Sequence, residues 1–141
     1  MIKLKWRLLQ YRSGNGRKAI EDWRKTLPVG LPQVDLDTFL IIVAKKDKWE
    51  FPDIGGLSGK KYQGLSKLRW KSGKVPHRII GYTQEEHVFV MLVGCTHNKK
   101  KYDPPDALIT AVRRKKKIEN READTCEYKL ITDSGDEEQG V

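Results

Sequence analysis

The chain has 141 residues, of which 28 are lysine or arginine and 19 are aspartate or glutamate, giving a formal net charge of +9. This length predicts one domain, and two cysteines are too few for a disulfide framework or a zinc finger. The longest apolar run, residues 39–44, is far shorter than the roughly 20 residues that cross a bilayer, and the cations within residues 1–12 exclude a signal-peptide core. We therefore expect a cytoplasmic protein with reduced thiols and no membrane partner.

The charge is distributed unevenly. Residues 119–141 hold two basic and eight acidic side chains, a net charge of −6, whereas residues 1–118 carry a net charge of +15. A body this basic favours a polyanionic partner, most often nucleic acid, and the simpler alternative is an ordinary basic surface. We expect one domain over residues 1–120 and an acidic, flexible tail over residues 121–141.

The first half of the chain predicts one strand and two helices. Residues 3–12 alternate roughly and indicate a strand. Asn15 is expected to cap a helix that ends near Thr26, and a second helix begins near Pro32. Residues 49–64 contain four glycines and a proline, which predicts a loop.

The second half predicts three strands and a last helix. The strands cover residues 65–71, 75–82 and 87–96, and their short connections imply antiparallel pairing. Asp103 and the two prolines after it are expected to cap and start a helix with a basic outer face. Residues 126–132 hold enough apolar side chains for one more strand. The resulting fold class is α+β, a small, mostly antiparallel sheet covered by an N-terminal helical hairpin and a C-terminal helix.

The three strands could bring cations together on one face of the sheet. Same-face residues of neighbouring strands lie about 5 Å apart. Arg69 is on the first strand, Arg78 on the second, and His97 follows the third with Lys99 and Lys100. Because packed like charges destabilise a fold, a cluster of this kind usually serves an anionic ligand.

A phosphodiester suits such a cluster. RNA cleavage without a metal or other cofactor needs a base for the 2′-OH proton, cations for the pentavalent phosphorane, and an acid for the 5′-oxygen. Arginine supplies paired donors to phosphate, and histidine transfers protons near neutral pH. The chain has no cluster of histidine and carboxylate residues at metal-ligand spacing, so the sequence predicts no metal site.

Each candidate also has a simpler interpretation. Arg69 could be a plain surface residue, and Arg78 could pair with Glu85 or Glu86. Tyr102 could stack on a base or pack beneath the last helix, and Lys99 to Lys101 could be a solvated charge run. Three other reactive residues are expected to be structural or peripheral: His77 on the opposite face from Arg78, His87 at an exposed edge, and Cys95 in the core.

Residues 65–116 resemble the RelE/ParE toxin superfamily, and within it the phage-derived HigB-like branch. The resemblance consists of four elements in order. Leu-Ser-Lys-Leu-Arg-Trp-Lys comes first, Val-Pro-His-Arg-Ile-Ile-Gly-Tyr second, and an apolar strand ending in His-Asn-Lys-Lys-Lys third. A Pro-Pro-Asp start to a basic helix follows. The N-terminal half agrees only in the order of its elements.

The resemblance implies a RelE-like fold and the toxin of a type II toxin–antitoxin pair. Such a toxin cleaves messenger RNA as a metal-independent hydrolase, usually on the ribosome, and is neutralised by a small antitoxin, here expected to be a helix-turn-helix protein. By position, Arg69 and Arg78 would hold the scissile phosphate, His97 would be the acid or base, and Lys99 and Lys100 would stabilise the transition state. The expected RNA-backbone contacts are Lys67, Lys71, Lys101, Tyr102, Arg113, Arg114 and Lys117.

Two other functions remain open at this point. The same basic face could belong to a non-catalytic nucleic-acid-binding module. The chain could also be a ParE-like inhibitor of DNA gyrase, which acts as an interaction protein and leaves messenger RNA intact.

Overall fold

The computed structural model describes residues 3–131, which form three α-helices, one short 3-10 helix (Lys60–Tyr62) and seven strands. The helices are α1 (Ala19–Thr26), α2 (Leu31–Lys45) and α3 (Ala107–Glu119). The strands are β1 (Arg7–Arg12), β2 (Ile54–Gly56), β3 (Ser66–Ser72), β4 (Val75–Glu85), β5 (Val88–Asn98), β6 (Lys101–Asp103) and β7 (Asp124–Glu127). Within these described residues, no helix is both long enough and apolar enough to cross a bilayer.

The seven strands form one mixed sheet in the order β2-β3-β4-β5-β1-β7, and β6 pairs with the far end of β5. Strands β2 to β5 are antiparallel to one another, as their short connections predict. Strand β1 pairs in parallel with the first half of β5 and antiparallel with β7. The first strand of the chain is therefore in the interior of the sheet.

The expected RelE-like fold, with helices on a small, mostly antiparallel sheet, is wrong. The α+β composition is observed, but the sheet has seven strands and is mixed. The loop predicted over residues 49–64 contributes β2, and the polar cluster after β5 contributes β6. Short strands at sheet edges escaped prediction because they bury too few side chains to produce an apolar alternation.

The boundary expected at residue 120 does not divide the described part of the chain. Strand β7 pairs with β1, and Arg7 and Arg12 of β1 bind Glu127 and Asp124 of β7. Tyr128 is 5% exposed and belongs to the core. Residues 124–128 are thus part of the domain, while residues 132–141 of the expected tail lie outside the described residues.

The sheet is covered on both faces. Helices α1 and α2 pack on one face over a core that includes Ile20, Leu36 and Phe89. Helix α3 packs on the other face with Ala107 and Ala111. A partly buried ion pair between Arg24 and Asp37, with contacts of 2.8 and 2.7 Å, joins α1 to α2. On the α3 face, strands β3, β4 and β5 also present polar side chains.

The start of α1 differs from the expected cap at Asn15. The helix begins at Ala19, and its N-cap residue, Lys18, makes no side-chain capping bond. The backbone N–H groups of Ile20 and Glu21 instead donate to Oε1 of Gln10 on β1, both at 3.0 Å. Gln10 is completely buried, so this tertiary cap satisfies helix donors that a local cap would otherwise bind.

Gly94 allows α1 to approach β5 closely. A Cβ atom at residue 94 would lie 2.1 Å from the indole of Trp23, well inside contact distance. We expect Gly94→Ala to lower the free energy of unfolding by about 1–3 kcal/mol, because the bulky ring has to move out of a packed core. Urea denaturation measures this change.

Gly56→Ala is the matched control, since a Cβ there meets no atom within 4 Å. That variant should stay within about 0.5 kcal/mol of wild type. A Gly94→Ala protein that unfolds at the wild-type urea midpoint would contradict the packing described for α1.

Candidate active site

The registers of β3, β4 and β5 bring four cationic or titratable side chains to one face of the sheet. Arg69 on β3 is directly opposite Arg78 on β4, and Arg78 is opposite Cys95 on β5. Lys67 precedes Arg69 by two residues and His97 follows Cys95 by two, so all of them share the face that α3 covers in part. We call Lys67, Arg69, Arg78 and His97 the cation cluster.

Arg78 is at the centre of the cation cluster. Its Nε and Nη1 atoms are buried, and no described residue offers them a hydrogen-bond partner. No carboxylate within residues 3–131 forms an ion pair with Arg78, Arg69 or Lys67. Buried donors without a partner are costly, about 1–3 kcal/mol for a neutral group and more for a charged one. Such a guanidinium is poised to bind an anion.

Lys67 lies close to both arginines. Burial lowers the pKa of its ammonium, and the positive charges of Arg78 and Arg69 lower it further. The Lys67 side chain extends over Gly55 of β2, where a Cβ would lie 3.6 Å from the lysine Cε. Lys67 was assigned only to contacts with the RNA backbone, but its side chain neighbours Arg78 at the centre of the cluster.

His97 stacks on Tyr102, its partner in the β5–β6 hairpin. The two ring centroids are 4.3 Å apart with an interplanar angle of 21°. Burial lowers the pKa of His97, and Arg78 and Lys67 lower it further by repelling the imidazolium. The imidazole is consequently neutral near pH 7 and able to accept a proton.

Tyr102 keeps its proton at neutral pH. Burial is the main cause of the raised pKa of its phenol, and the positive charge of Arg78 opposes that rise. The ring is half-buried and also contacts the α3-side core. The position of Tyr102 agrees with the expected packing on the side of the last helix, whereas stacking of its ring on a base stays a prediction.

Arg69 joins the cluster through its strand but turns toward β2. Its Nε donates to the carbonyl oxygen of Pro52 at 3.0 Å, and its Cζ lies 4.7 Å from the ring centroid of Phe51. The guanidinium of Arg69 therefore lies on the side of the cluster next to β2, and Tyr102 lies on the side next to β6.

The two lysines expected to stabilise the transition state lie at the tip of the β5–β6 hairpin. Asn98 pairs with Lys101, so Lys99 and Lys100 form a two-residue turn, and both are exposed. Their φ angles are 50° and 67°, values typical of a type I′ turn and unfavourable for lysine. They follow His97 at the tip of the hairpin, and neither is among the charges that lower the pKa of Lys67 or of His97.

The remaining expected RNA contacts divide into exposed and internal residues. Lys71 is exposed at the end of β3, and Lys101 points to the face opposite Tyr102 because the two are adjacent on β6. Arg113 and Lys117 are exposed on α3.

Arg114, also expected to contact RNA, makes contacts inside the fold. Its Nη1 donates to the carbonyl oxygen of Leu92 at 2.8 Å, and its Cζ lies 5.0 Å from the ring centroid of Tyr11. Leu92 is the extra residue of a bulge, since Ile80 pairs with Val93 while the next residue pairs with Met91. Arg114 thus satisfies a carbonyl inside the fold and is partly buried, unlike Arg113 and Lys117.

Three other reactive residues lie outside the cluster. His77 is 4% exposed on the opposite face and stacks on Trp70, which confirms its expected orientation. Cys95 is completely buried, and burial raises the pKa of its thiol to about 12, so it is a core residue. His87 was expected at an exposed edge but packs against Trp6 and contacts Asp47.

The comparisons with known proteins found no counterpart. No family model, no curated protein and no solved structure matches this chain. The case for a function therefore depends on the chemistry of the cation cluster.

The cluster predicts how His97 should titrate. We expect Arg78→Gln to raise the pKa of His97 toward 6.5, because the variant removes a positive charge that disfavours the imidazolium. The pKa of His97 should still lie below 6.5 in this variant, since burial is the largest cause of its lowering. An NMR titration of the imidazole Cε1 proton measures the midpoint.

Lys117→Gln is the charge-matched control, because Lys117 is exposed toward the far end of α3. It should leave the His97 midpoint unchanged. A midpoint that is the same in wild type and in Arg78→Gln would show that the two side chains do not interact.

Proposed function

We propose that this protein is a metal-independent endoribonuclease that cleaves messenger RNA. One observation carries the proposal: Arg78 holds two buried guanidinium donors that no described residue satisfies, in the middle of a group of cations without counter-ions. Such a group is suited to a phosphodiester, which offers two non-bridging oxygens to the donors of an arginine.

The cleavage step follows from the protonation states in the cluster. The neutral His97 imidazole accepts the 2′-OH proton while the 2′-oxygen forms a bond to phosphorus. Arg78 stabilises the negative charge that develops on the phosphorane. The bond from phosphorus to the 5′-oxygen then breaks, leaving a 2′,3′-cyclic phosphate. The departing oxygen takes a proton from the Lys67 ammonium, which gives it up more readily than an exposed lysine because its pKa is lowered.

The biological setting in this proposal depends on the resemblance of residues 65–116. It suggests a cytoplasmic toxin that acts on messenger RNA at the ribosome and is paired with a small helix-turn-helix antitoxin. The observed sheet does not support this setting, because it differs from the fold that the resemblance implied. The proposal that the protein cleaves RNA stands on the cluster alone and does not need the antitoxin, whereas messenger RNA as the substrate depends on the resemblance.

Removal of the central arginine tests the chemistry. We expect Arg78→Ala to reduce RNA cleavage at saturating substrate by roughly 10²- to 10³-fold, the loss that follows removal of one preorganised donor. The measurements are single-turnover cleavage of a purified RNA, with and without translating ribosomes, and mapping of messenger RNA ends after brief expression in a bacterium.

Arg7→Ala is the matched control, since Arg7 is exposed and already paired with Glu127 at the opposite edge of the sheet. It should cleave like wild type. RNA binding without cleavage, even on ribosomes, would indicate the non-catalytic module instead. Blocked DNA replication with intact messenger RNA would indicate the gyrase inhibitor.

The hairpin tip offers a second test, in which one double variant is expected to raise the stability of the protein and to weaken its binding of RNA. Replacing Lys99 by Asn and Lys100 by Gly supplies the residues that a type I′ turn prefers. We expect the double variant to gain about 1–2 kcal/mol or more in the free energy of unfolding, because lysine at positive φ is unfavourable. If both lysines contact phosphates, RNA affinity falls and its dependence on salt becomes flatter.

Urea denaturation and fluorescence anisotropy across a salt series measure the two effects. A stabilised double variant with unchanged affinity and salt dependence would mean that these lysines do not contact RNA.

A further inference from the structure

Phe51 is an exposed aromatic ring that is nevertheless held in place. The residue is 78% exposed, the highest value of any exposed aromatic side chain among the described residues. The Arg69 guanidinium lies over its ring, with Cζ 4.7 Å from the centroid, and Arg69 is itself fixed by the bond from Nε to the Pro52 carbonyl. The arginine backs one face of the ring, and the exposed remainder faces solvent.

This ring is connected to the cation cluster by a continuous row of side chains. Arg69 and Lys67 both lie over Gly55, where a Cβ would be 3.7 Å from the Arg69 Cζ and 3.6 Å from the Lys67 Cε. Lys67 is in turn close enough to Arg78 for the positive charge of that arginine to lower the pKa of the lysine. Phe51 is therefore at the β2 end of the row, and the stacked His97 and Tyr102 are at the β6 end.

The row has the chemistry of a site for single-stranded nucleic acid. Such sites combine cations that follow the backbone with aromatic or arginine planes on which unpaired bases stack. A base in a duplex is already stacked and has no free face for the ring. Single exposed apolar residues are common on protein surfaces; Val29, for example, is 90% exposed. Phe51 differs because a guanidinium orients it beside unpaired cations.

We propose that Phe51, backed by Arg69, is a nucleobase subsite. An unpaired base of a single strand stacks on the Phe51 ring while a neighbouring phosphate of the same strand binds Arg78. This inference rests on the proposed function, because it requires a strand bound at the cation cluster. Beyond the proposed function, the subsite implies that the substrate is single-stranded and that one base beside the bound phosphate stacks on Phe51.

The test measures binding without cleavage. The probe is a short fluorescent single-stranded RNA with 2′-O-methyl groups, which cannot form the cyclic phosphate, and a second series carries one abasic nucleotide at each position in turn. Fluorescence anisotropy gives the affinity of wild type, Phe51→Ala, Phe51→Tyr and the control Val29→Ala. Urea denaturation verifies that the variants are folded, as expected for changes at exposed positions.

We expect Phe51→Ala to bind roughly 5- to 150-fold more weakly, the range for loss of one base–aromatic stack. Phe51→Tyr and Val29→Ala should bind like wild type. At one abasic position the difference between wild type and Phe51→Ala should disappear, because the base that stacks on the ring is missing. A duplex of the same sequence should bind both proteins equally.

Two outcomes separate this inference from the proposed function. If Phe51→Ala binds like wild type while Arg78→Ala loses affinity, the nucleobase subsite is wrong and the phosphate site stands. If wild type neither binds this RNA nor cleaves RNA on translating ribosomes, both fail. A loss of affinity in Phe51→Ala that persists at every abasic position would also overturn the subsite, since the ring would then act without a base.

Discussion

The candidate site of this protein depends on two arginines that face each other across a pair of strands. Arg69 and Arg78 are directly opposite in the β3–β4 register, a position where like charges destabilise a sheet. No carboxylate among residues 3–131 neutralises them. The remaining sheet holds them there, because β4 lies between β3 and the almost wholly buried β5. Folding thus maintains a charge arrangement that an isolated hairpin would avoid.

Because side chains alternate along a strand, the residues that pack under α1 and α2 and the residues of the cation cluster lie on opposite faces of the sheet. His77 and Arg78 are adjacent in the chain, yet His77 belongs to an aromatic group with Trp70 and Trp23, and Arg78 belongs to the cation cluster. Because successive residues of a strand point to opposite faces, one strand can serve both purposes. The face covered by α1 and α2 is densely packed, whereas α3 leaves part of the other face polar.

Conflicts between local preference and the observed structure occur beside the cluster. Lys99 and Lys100 occupy turn positions that favour asparagine and glycine. Backbone conformations of this kind are retained where the surroundings impose them, and they concentrate at functional sites. The unpartnered donors of Arg78 belong to the same class of feature, since neither contributes to stability in the protein by itself.

The local elements and the parity of their side chains can be read from the amino-acid pattern. Helices α1 to α3 and strands β3 to β5 follow from apolar periodicity, and the shared face of Arg69 and Arg78 follows from the two-residue repeat with a short turn. The partners of these elements are known only from the fold. It placed β1 beside β5, turned Arg69 toward Phe51, and used Arg114 to satisfy the bulge at Leu92. Periodicity indicates which faces are buried, whereas strand order and side-chain contacts depend on residues distant in the chain.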